Sequence, residues 1–431
     1  MDPRAGGAWA RAMLVSLVAI SSTPTYSAQA SHPDEHWVSS WATAQQLTPL
    51  TNPPWAKPPP RAQPEHSPIL PIPERLKDQT VRMLIRATIG GKQVRVQLSN
   101  AQGYEPVAIG SVHVALHDQG SGIVSGSDRA ATFGGQARVK LQPGAVIVSD
   151  PIELSVPPLS TLAISLYVPG EVGQLTVHPL GLHTTYVASG DMTSATSLPA
   201  ALECNSYFWL TGLVVLASQS TDAIAAFGDS ITDGYATTPN ANRDWPAVLF
   251  ERGMKGQRGA SRSVVNLGIA GNRVLHDGSG TSALARFDRD ILSRPGVRWI
   301  VFLEGINDIS FPAIPGAPAE DRIDAEDLIA GYRKLIDRAH LHDLKVVGGT
   351  ILPWEGVWTY TSEAEAIRQR VNQWIRSSGA FDDTVDFDAI TRDPTHPSRL
   401  NPRFDSGDHV HPNDAGNRAM AEAVDLSFFD H

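Results

Sequence analysis

Hydrophobic and polar positions follow two different patterns along this chain. From about residue 78 to 218, short segments alternate apolar and polar residues with a period near two, or are rich in β-branched residues. Gly, Pro, Asn and Asp separate these segments, and such a pattern predicts short strands joined by turns. Their number and spacing favour an antiparallel β-sandwich, with a jelly roll as one such arrangement. The segments are TVRMLIRATI, QVRVQLSN, SVHVALHD, ARVKLQPG, AVIVSDPIEL and LAISLYVPG.

Beyond about residue 221, continuous apolar segments alternate with amphipathic ones. Two of the amphipathic segments carry helix-start signals: Asp324 as an N-cap, and Ser362 with Glu365 as a capping box on a helix that stops at Gly379. Strands that alternate with helices predict right-handed crossovers and a parallel sheet covered on both faces. The candidate strands are AIAAFGDS, SVVNLGIAG, VRWIVFLEG, LKVVGGTILP and TVDFDAI.

The patterns predict four segments. Residues 1–30 resemble a signal peptide, because Arg4 and Arg11 precede the apolar stretch AMLVSLVAI and a small-residue cleavage pattern ends at Ala30. We therefore expect an exported protein, located in the periplasm or the medium. Residues 31–77 form an N-terminal segment that contains a proline-dense loop at 49–73. Residues 78–220 are the β-sandwich domain, and residues 221–431 are an α/β domain.

Composition narrows the classes of partner. The 431 residues carry a net charge of −10, with 42% hydrophobic residues. No broad basic surface is available for phosphates, so nucleic acid is not an expected partner. After residue 30 no apolar run is long enough to span a bilayer. The single cysteine, Cys204, excludes an intramolecular disulfide and is expected to be buried.

Four of the five candidate strands are followed directly by a polar or glycine turn. Because ligands of parallel α/β sheets bind at the carboxyl ends of the strands, these turns are the places to look for chemistry. A further polar loop, DSGDHVHPNDAG, precedes a helix that Asn413 is expected to cap. The turn residues are Gly228, Asp229 and Ser230 after the first strand, Gly268 and Gly271 after the second, Gly305, Asn307 and Asp308 after the third, and the stretch TILPWEG at the end of the fourth.

Four of these blocks, in this order, resemble the signature blocks of the GDSL-type, or SGNH, hydrolases. They are FGDSITDG, NLGIAGN, EGIND and DHVHPND, and the resemblance covers about residues 221–431. The stretch WVSSWATAQ at 37–45 is similar, more loosely, to the start of secreted members with an N-terminal β domain. The resemblance implies a three-layer α/β fold and a carboxylic ester hydrolase that needs no cofactor and no metal.

Carried over residue by residue, the resemblance implies that Ser230 is the nucleophile and His411 its general base, oriented by Asp408. The oxyanion hole would consist of the N–H groups of Ser230 and Gly271 and the side-chain amide of Asn307. His409 departs from the family pattern, in which glycine often follows the aspartate, although the spacing from Asp408 to His411 is kept.

Simple chemistry agrees with these roles. A serine hydroxyl is a poor nucleophile until a base takes its proton, and imidazole titrates near neutral pH. The i, i+3 spacing allows one short loop to supply both the base and the carboxylate that fixes its tautomer.

Other interpretations of the same residues remain open at this stage. Asp405, Asp408, His409, His411 and Asp414 are crowded enough for a zinc site, although this leaves the serine, glycine and asparagine blocks unexplained. The stretch GSGTSA at 278–283 fits a dinucleotide fingerprint only on paper, because it does not leave a strand directly. No Gly-x-Ser-x-Gly elbow is present, which disfavours the usual α/β-hydrolase fold.

The substrate is less well defined than the reaction. The resemblance suggests either a short acyl group on a carbohydrate or a lipid ester, and we expect Trp354 and Trp358 to line the acyl or alcohol pocket. A different class, a carbohydrate-binding protein with a residual hydrolase domain, also has candidates for stacking on sugars. Those residues are Trp37, Trp41, Tyr104 and Tyr186.

Overall fold

The computed structural model describes residues 34–47, 71–255 and 262–430. The predicted signal peptide, and the proline-dense segment except for its last three residues, lie outside the described residues. The described residues from Asp34 onwards belong to one compact unit. No helix in these described ranges is long and apolar enough to cross a membrane.

An antiparallel β-rich region precedes the parallel sheet. One of its sheets has the order β1-β16-β4-β10, with β9 also paired to β4, and the other has the order β14-β13-β3-β11-β6-β7. Two small sheets, β15-β12-β2 and β5-β8, complete the region. The strands are β1 (Glu35–Ala42), β2 (Gln46–Leu47), β3 (Gln79–Arg86), β4 (Gly91–Ser99), β5 (Val107–Ile109), β6 (Ser111–Leu116), β7 (Arg129–Ala130), β8 (Val139–Leu141), β9 (Val146–Val148), β10 (Ile152–Val156), β11 (Thr161–Val168), β12 (Thr176–His178), β13 (Thr185–Ser189), β14 (Leu202–Cys204), β15 (Tyr207–Phe208) and β16 (Leu210–Ser218).

Alternating side chains build the core of this region. Strand β10 buries Ile152, Leu154 and Val156 and leaves the two residues between them exposed. Apolar residues of β3 and β4, which belong to different sheets, share one core. The predicted antiparallel β-rich fold is confirmed. One predicted segment, AVIVSDPIEL, forms the two strands β9 and β10, because Pro151 lacks the N–H that a continuous strand needs at that point.

A five-stranded parallel sheet follows, as the apolar segments predict. Its order is β18-β17-β19-β20-β21, and all four pairings are parallel. After β17 the chain first adds β18 on one side of it and then β19 on the other side. The carboxyl end of β17 is therefore the switch point where such folds bind ligands. The strands are β17 (Asp222–Gly228), β18 (Arg262–Gly268), β19 (Val297–Leu303), β20 (Lys345–Gly349) and β21 (Asp383–Val385). The helices are α1 (Ser230–Asp233), α2 (Trp245–Lys255), α3 (Ala283–Phe287), α4 (Ile306–Ser310), α5 (Ala325–His340), α6 (Ser362–Ser377), α7 (Phe387–Thr391) and α8 (Asp414–Ala423).

Helix ends depend on local capping. Asp324 caps α5 and forms a reciprocal capping box with Asp327, as predicted for the start of this helix. The N-cap of α6 is Thr361, one residue before the predicted Ser362. The Thr361 hydroxyl accepts a hydrogen bond from the Ala364 N–H. The predicted strand TVDFDAI is wrong in its second half. Asp386 accepts from the Ala389 N–H there and starts α7.

The β-rich region and the parallel sheet share a buried junction. The Ser39 N–H on β1 donates to the Pro295 carbonyl at 2.8 Å, and His36 Nε2 lies 2.7 Å from the Thr221 carbonyl. Arg294, which is buried, donates to the Thr43 and Thr211 carbonyls of the β-rich region. On another side, Arg86 of β3 forms an ion pair with Glu251 of α2 at 2.7 Å.

Most of the aromatic residues suggested for sugar stacking are engaged within the β-rich region. Trp41 packs edge-on against Tyr207 with 4.9 Å between ring centroids, and Tyr186 is 9% exposed. The Arg95 guanidinium covers the ring of Trp37. Of these four aromatic residues only Tyr104, which is 74% exposed, has most of its surface accessible to solvent. Cys204 is completely buried, and this burial raises the pKa of its thiol to about 11.

The junction generates a stability prediction at Gly296. This residue has φ +82°, and an added Cβ would lie 2.8 Å from the Val38 side chain of β1. Gly296→Ala therefore combines left-handed backbone strain with overpacking, and we expect a loss of about 2 to 4 kcal/mol in the free energy of unfolding. Urea titration measures this loss.

The matched control is Gly379→Ala, which has φ +65° and open space around the added methyl group. Backbone strain alone is expected to cost about 1 kcal/mol at this position. Equal losses for the two variants would contradict close packing between Val38 and Gly296.

Candidate active site

Ser230 lies at the sharp exit from β17. Asp229 is the N-cap of α1, and its side chain accepts from the Ile231 N–H at 2.9 Å. The Gly234 and Tyr235 N–H groups both donate to the Ser230 carbonyl, which closes the turn. Ser230 is therefore fixed at the start of a helix, at the switch point of the sheet, with 6% of its surface exposed.

A loop before α8 brings an imidazole to this serine. His411 Nε2 lies 2.8 Å from Ser230 Oγ, and His411 Nδ1 lies 2.6 Å from Asp408 Oδ2. Because the carboxylate accepts the Nδ1–H, Nε2 is left without a proton and accepts the serine hydroxyl. The predicted i, i+3 pair thus aligns hydroxyl, imidazole and carboxylate. The Tyr235 ring packs against the imidazole, with 4.3 Å between centroids.

Asp408 is held as an anion. Its burial opposes ionisation, but His411 and the N–H groups of Val410 and His411 outweigh that effect and hold the pKa of Asp408 well below its usual range. Those two N–H groups donate to Oδ1 at 3.1 and 2.9 Å, while Oδ2 faces the imidazole. The two oxygens therefore have separate tasks: one shapes the loop and the other orients His411.

Gly271 and Asn307 lie on the two neighbouring strand exits. Gly271 has φ +78°, and an added Cβ would lie 2.6 Å from the Ser279 hydroxyl, so the turn needs glycine there. Asn307 Nδ2 donates to the Asn272 carbonyl at 2.9 Å, which leaves its second amide hydrogen available. Within the described residues, the N–H groups of Ser230 and Gly271 make no hydrogen bond.

A layer of buried carboxyl groups lies beneath these turns. Burial raises the pKa of Asp229 to about 7 and that of Asp308 to about 6, and it raises the pKa of Glu304 well above its usual value. Asp308 accepts from the Val274 and Leu275 N–H groups at 2.8 and 3.0 Å and so holds the loop after β18. Neither Glu304 side-chain oxygen has a hydrogen-bond partner in the described part of the chain.

Arg286 is a residue of this site that the sequence patterns do not single out. Its guanidinium is 1% exposed and donates to the Gly228 and Leu267 carbonyls, at the ends of β17 and β18, at 2.9 and 2.7 Å. It also donates to Asn272 Oδ1 at 2.8 Å. The single signal in the sequence is a charged residue at an inward position of the short helix α3.

His409, which departs from the family pattern, has an unusual backbone conformation. Its φ is +69°, a conformation that favours glycine. The side chain places Nδ1 2.7 Å from Asp405 Oδ2, with about half of its surface exposed. The Asp405 contact and the His409 N–H bond to Asp405 Oδ1 at 3.0 Å hold this strained residue in place.

The two tryptophans predicted to line the pocket differ in placement. Trp354 is completely buried and packs edge-on against Tyr360, with 5.3 Å between centroids. It supports the loop after β20 and has no surface for a substrate in this structure, which corrects the expectation for this residue. Trp358 is 38% exposed, and its contact with a substrate stays a prediction.

The structure gives little support to the zinc-site and dinucleotide-site interpretations. In the residues that the structure describes, no three His, Cys, Asp or Glu side chains are arranged to hold a metal ion. Asp405 engages His409, Asp408 engages His411, and Asp414 accepts from Thr238, so these carboxylates face different partners. The glycine stretch 278–283 begins ten residues after β18 ends and runs into the five-residue helix α3.

Part of the chain matches a known protein family. Residues 226–419 match the GDSL-like Lipase/Acylhydrolase family. No curated protein matches the chain. Among solved structures, the chain is similar to a lipolytic protein of the G-D-S-L family from Desulfitobacterium hafniense, with 20% identity, a TM-score of 0.36, and coverage of 47% of this chain and 97% of that one.

Two further solved structures show a similar degree of likeness. An acetyl xylan esterase from Geobacillus stearothermophilus has 21% identity, a TM-score of 0.36, and coverage of 48% of this chain and 94% of that one. An aryl esterase from M. smegmatis has 18% identity, a TM-score of 0.37, and coverage of 47% and 96%. In each case the share of this chain that is covered is less than half.

The buried Asp229 generates a pH prediction. Its pKa is raised in the folded state, so the unfolded chain releases this proton first, and the contribution of Asp229 to stability is lost as the pH rises from about 4 to about 7. Asp229→Asn keeps an N-cap acceptor but cannot ionise. Relative to the parent, we expect this variant to gain about 3 kcal/mol of unfolding free energy between pH 4.5 and 7.5.

Urea titrations at the two pH values measure the difference. Asp150→Asn is the control, because the Thr132 hydroxyl and the Gly135 N–H lower the pKa of Asp150, so this carboxyl does not titrate in that window. A gain for Asp229→Asn that is the same at both pH values would contradict a protonated Asp229.

Proposed function

We propose that residues 226–419, which match the GDSL-like Lipase/Acylhydrolase family, form a carboxylic ester hydrolase whose chemistry is carried by Ser230, His411 and Asp408. The observation that supports this assignment is the continuous chain of contacts from Ser230 Oγ through His411 to Asp408, with heavy-atom distances of 2.8 and 2.6 Å. Both distances lie within the range of strong hydrogen bonds. No other element of the proposal carries as much weight.

The reaction proceeds in two halves. Ser230 Oγ attacks the ester carbonyl carbon while His411 Nε2 takes the hydroxyl proton, and a tetrahedral adduct forms. The adduct collapses when the bond to the alcohol oxygen breaks and His411 returns the proton to that oxygen. The acyl group then remains on Ser230. Water, deprotonated by His411, attacks this acyl-enzyme, and the acid leaves as Ser230 recovers its proton.

Three donors stabilise the negative charge on the former carbonyl oxygen. They are the N–H groups of Ser230 and Gly271 and the second amide hydrogen of Asn307. The free N–H groups and the half-used amide support this role, since each donor is available before substrate binds. Loss of one such donor typically lowers kcat about 100- to 1,000-fold.

Asp408 orients the imidazole and stabilises the imidazolium that forms during each half-reaction. The N–H groups of Val410 and His411 keep this carboxylate ionised, so it stays ready to accept the Nδ1–H. The reaction needs no cofactor or metal in this scheme.

We favour a short acyl group, such as an O-acetyl group on a carbohydrate, over a long lipid chain. The space beside Gly271 is limited, because a methyl group added there would lie 2.6 Å from the Ser279 hydroxyl and 3.8 Å from the Phe311 ring. A lipid ester remains the alternative substrate. A carbohydrate-binding protein with a residual hydrolase domain is disfavoured, since three of its four candidate aromatic residues are engaged inside the β-rich region.

We also propose that the protein is exported, on the basis of the N-terminal sequence pattern alone. Cleavage after Ala30 gives a mature chain that begins at Ser31. The mass of the N-terminal peptide of protein recovered outside the cytoplasm tests this, and an intact Met1 peptide would contradict it.

The nucleophile assignment predicts the behaviour of Ser230→Ala. Loss of the hydroxyl removes the covalent route, so kcat for 4-nitrophenyl acetate is expected to fall about 10⁴-fold or more, with an unchanged fold by circular dichroism. Ser377→Ala, at an exposed position of α6, is the control and should keep the parental kcat. Activity of Ser230→Ala near the parental level would overturn the assignment.

The substrate proposal predicts the acyl-chain preference. We expect kcat/KM for 4-nitrophenyl acetate to exceed that for the octanoate at least about 10-fold, because a long chain must displace packed side chains. Phe311→Ala should narrow this ratio by opening space near Gly271. A parental preference for octanoate would favour the lipid ester instead.

A further inference from the structure

A buried carboxylate joins the two loops of the proposed catalytic site. Asp233 is the last residue of α1, three positions after Ser230, and it is 4% exposed. Its Oδ2 accepts from the Ala270 N–H at 2.9 Å, and Ala270 directly precedes Gly271. The Asp233 side chain therefore helps to fix the position and orientation of the Gly271 N–H relative to Ser230.

The partner of the other Asp233 oxygen comes from the β-rich region. His178, the last residue of β12, places Nε2 3.0 Å from Asp233 Oδ1 and is 3% exposed. The same Nε2 lies 3.1 Å from the Leu180 carbonyl, and Nδ1 lies 2.7 Å from the Ala44 carbonyl. The Tyr207 ring lies roughly parallel to the imidazole, with 6.1 Å between centroids.

These contacts decide the charge of His178. A carbonyl oxygen only accepts hydrogen bonds, so the contact with Ala44 requires a proton on Nδ1, and the contacts with Leu180 and Asp233 require one on Nε2. Burial alone lowers the pKa of His178, but Asp233 and the two carbonyls outweigh this effect and raise it. His178 is therefore an imidazolium, and it pairs with a carboxylate that is also removed from water.

Among the described residues, His178 is the only cationic side chain that forms an ion pair with Asp233. The Asp244 carboxyl, the Asp229 carboxyl and the Tyr207 phenol also interact electrostatically with Asp233, and none of them carries a positive charge. Loss of the His178 charge would leave Asp233 as a buried anion next to further carboxyl groups. Such an anion is costly to keep in place, so the side chain and the N–H it holds would move towards water.

We propose that His178 of the β-rich region is a positioning residue for catalysis, which acts through Asp233 to hold the Ala270–Gly271 backbone against the Ser230 turn. This inference rests on the proposed function, because it assigns His178 to the same oxyanion site. It gives the β-rich region a direct part in ester hydrolysis. A correctly placed Gly271 N–H stabilises the transition state but not the bound substrate, because the carbonyl oxygen carries its negative charge only after attack.

The test compares four variants by kcat and KM on 4-nitrophenyl acetate. His178→Gln removes the charge but keeps an N–H donor, and we expect kcat to fall at least about 10-fold while KM changes less than about threefold. Asp233→Asn/His178→Gln removes both charges, and its kcat should lie closer to the parental value than that of His178→Gln alone. Concentration of working sites is titrated with diethyl 4-nitrophenyl phosphate, so that kcat refers to folded enzyme.

The matched control is Arg86→Gln. This variant also breaks an ion pair between the β-rich region and the α/β region, with Glu251 of α2, but it leaves the Ser230 and Gly271 turns untouched. We expect a lower Tm and a parental kcat per titrated site. The same behaviour for His178→Gln, a lower Tm with unchanged kcat, would overturn the inference and make His178 a purely structural contact.

Ser230→Ala, the fourth variant, separates this outcome from failure of the proposed function. If Ser230→Ala keeps its activity, the esterase assignment itself is wrong. If Ser230→Ala is inactive and His178→Gln matches the parent, only the positioning role is wrong.

Discussion

The guanidinium of Arg286 is the constraint on which the Ser230 and Gly271 turns depend. Arg286 donates to the carbonyl of Gly228, the last residue of β17, and to the carbonyl of Leu267, the last but one residue of β18. The Phe227 ring lies 4.1 Å below the cation, and Asp290 lies 3.3 Å away. A buried arginine of this kind is stable only when its donors are used and its charge is balanced. Both conditions are met here, so the two turns that leave these strands start from fixed points.

The predictable part of the site is the part that the parallel sheet gathers. Ser230, Gly271 and Asn307 each follow a recognisable apolar strand, and parallel strands bring their carboxyl ends to one edge. The i, i+3 spacing of Asp408 and His411 needs only one loop. These residues could therefore be grouped before any coordinates were known. The prediction that Trp354 lines the pocket is wrong because a loop position does not indicate whether a large side chain points inward. Burial of a tryptophan side chain is strongly favourable.

Residues that work through long-range contacts had no such signal. His178 is the last residue of a three-residue strand, and Glu304 directly follows the largely apolar strand β19. Their significance comes from what approaches them in space: Asp233 in one case, the carboxyls of Asp229 and Asp308 in the other. The same limit applies to strands β12 to β15, which are two to five residues long and lack a clear alternation. Pairing with distant strands stabilises them, and a local pattern cannot encode that pairing.

The pairing of β1 with β16 has a consequence for the order in which the molecule can assemble. Gln219 donates to the Glu35 carbonyl across a separation of 184 residues, and the register from Glu35 to Ala42 closes the first sheet. During synthesis β1 therefore stays unpaired until the whole β-rich region, which ends with its partner β16, has left the ribosome. Closing so long a loop is entropically expensive and makes folding slow. Under the export proposed above, this late pairing would keep the chain unfolded, and so competent for translocation, until the β-rich region is complete.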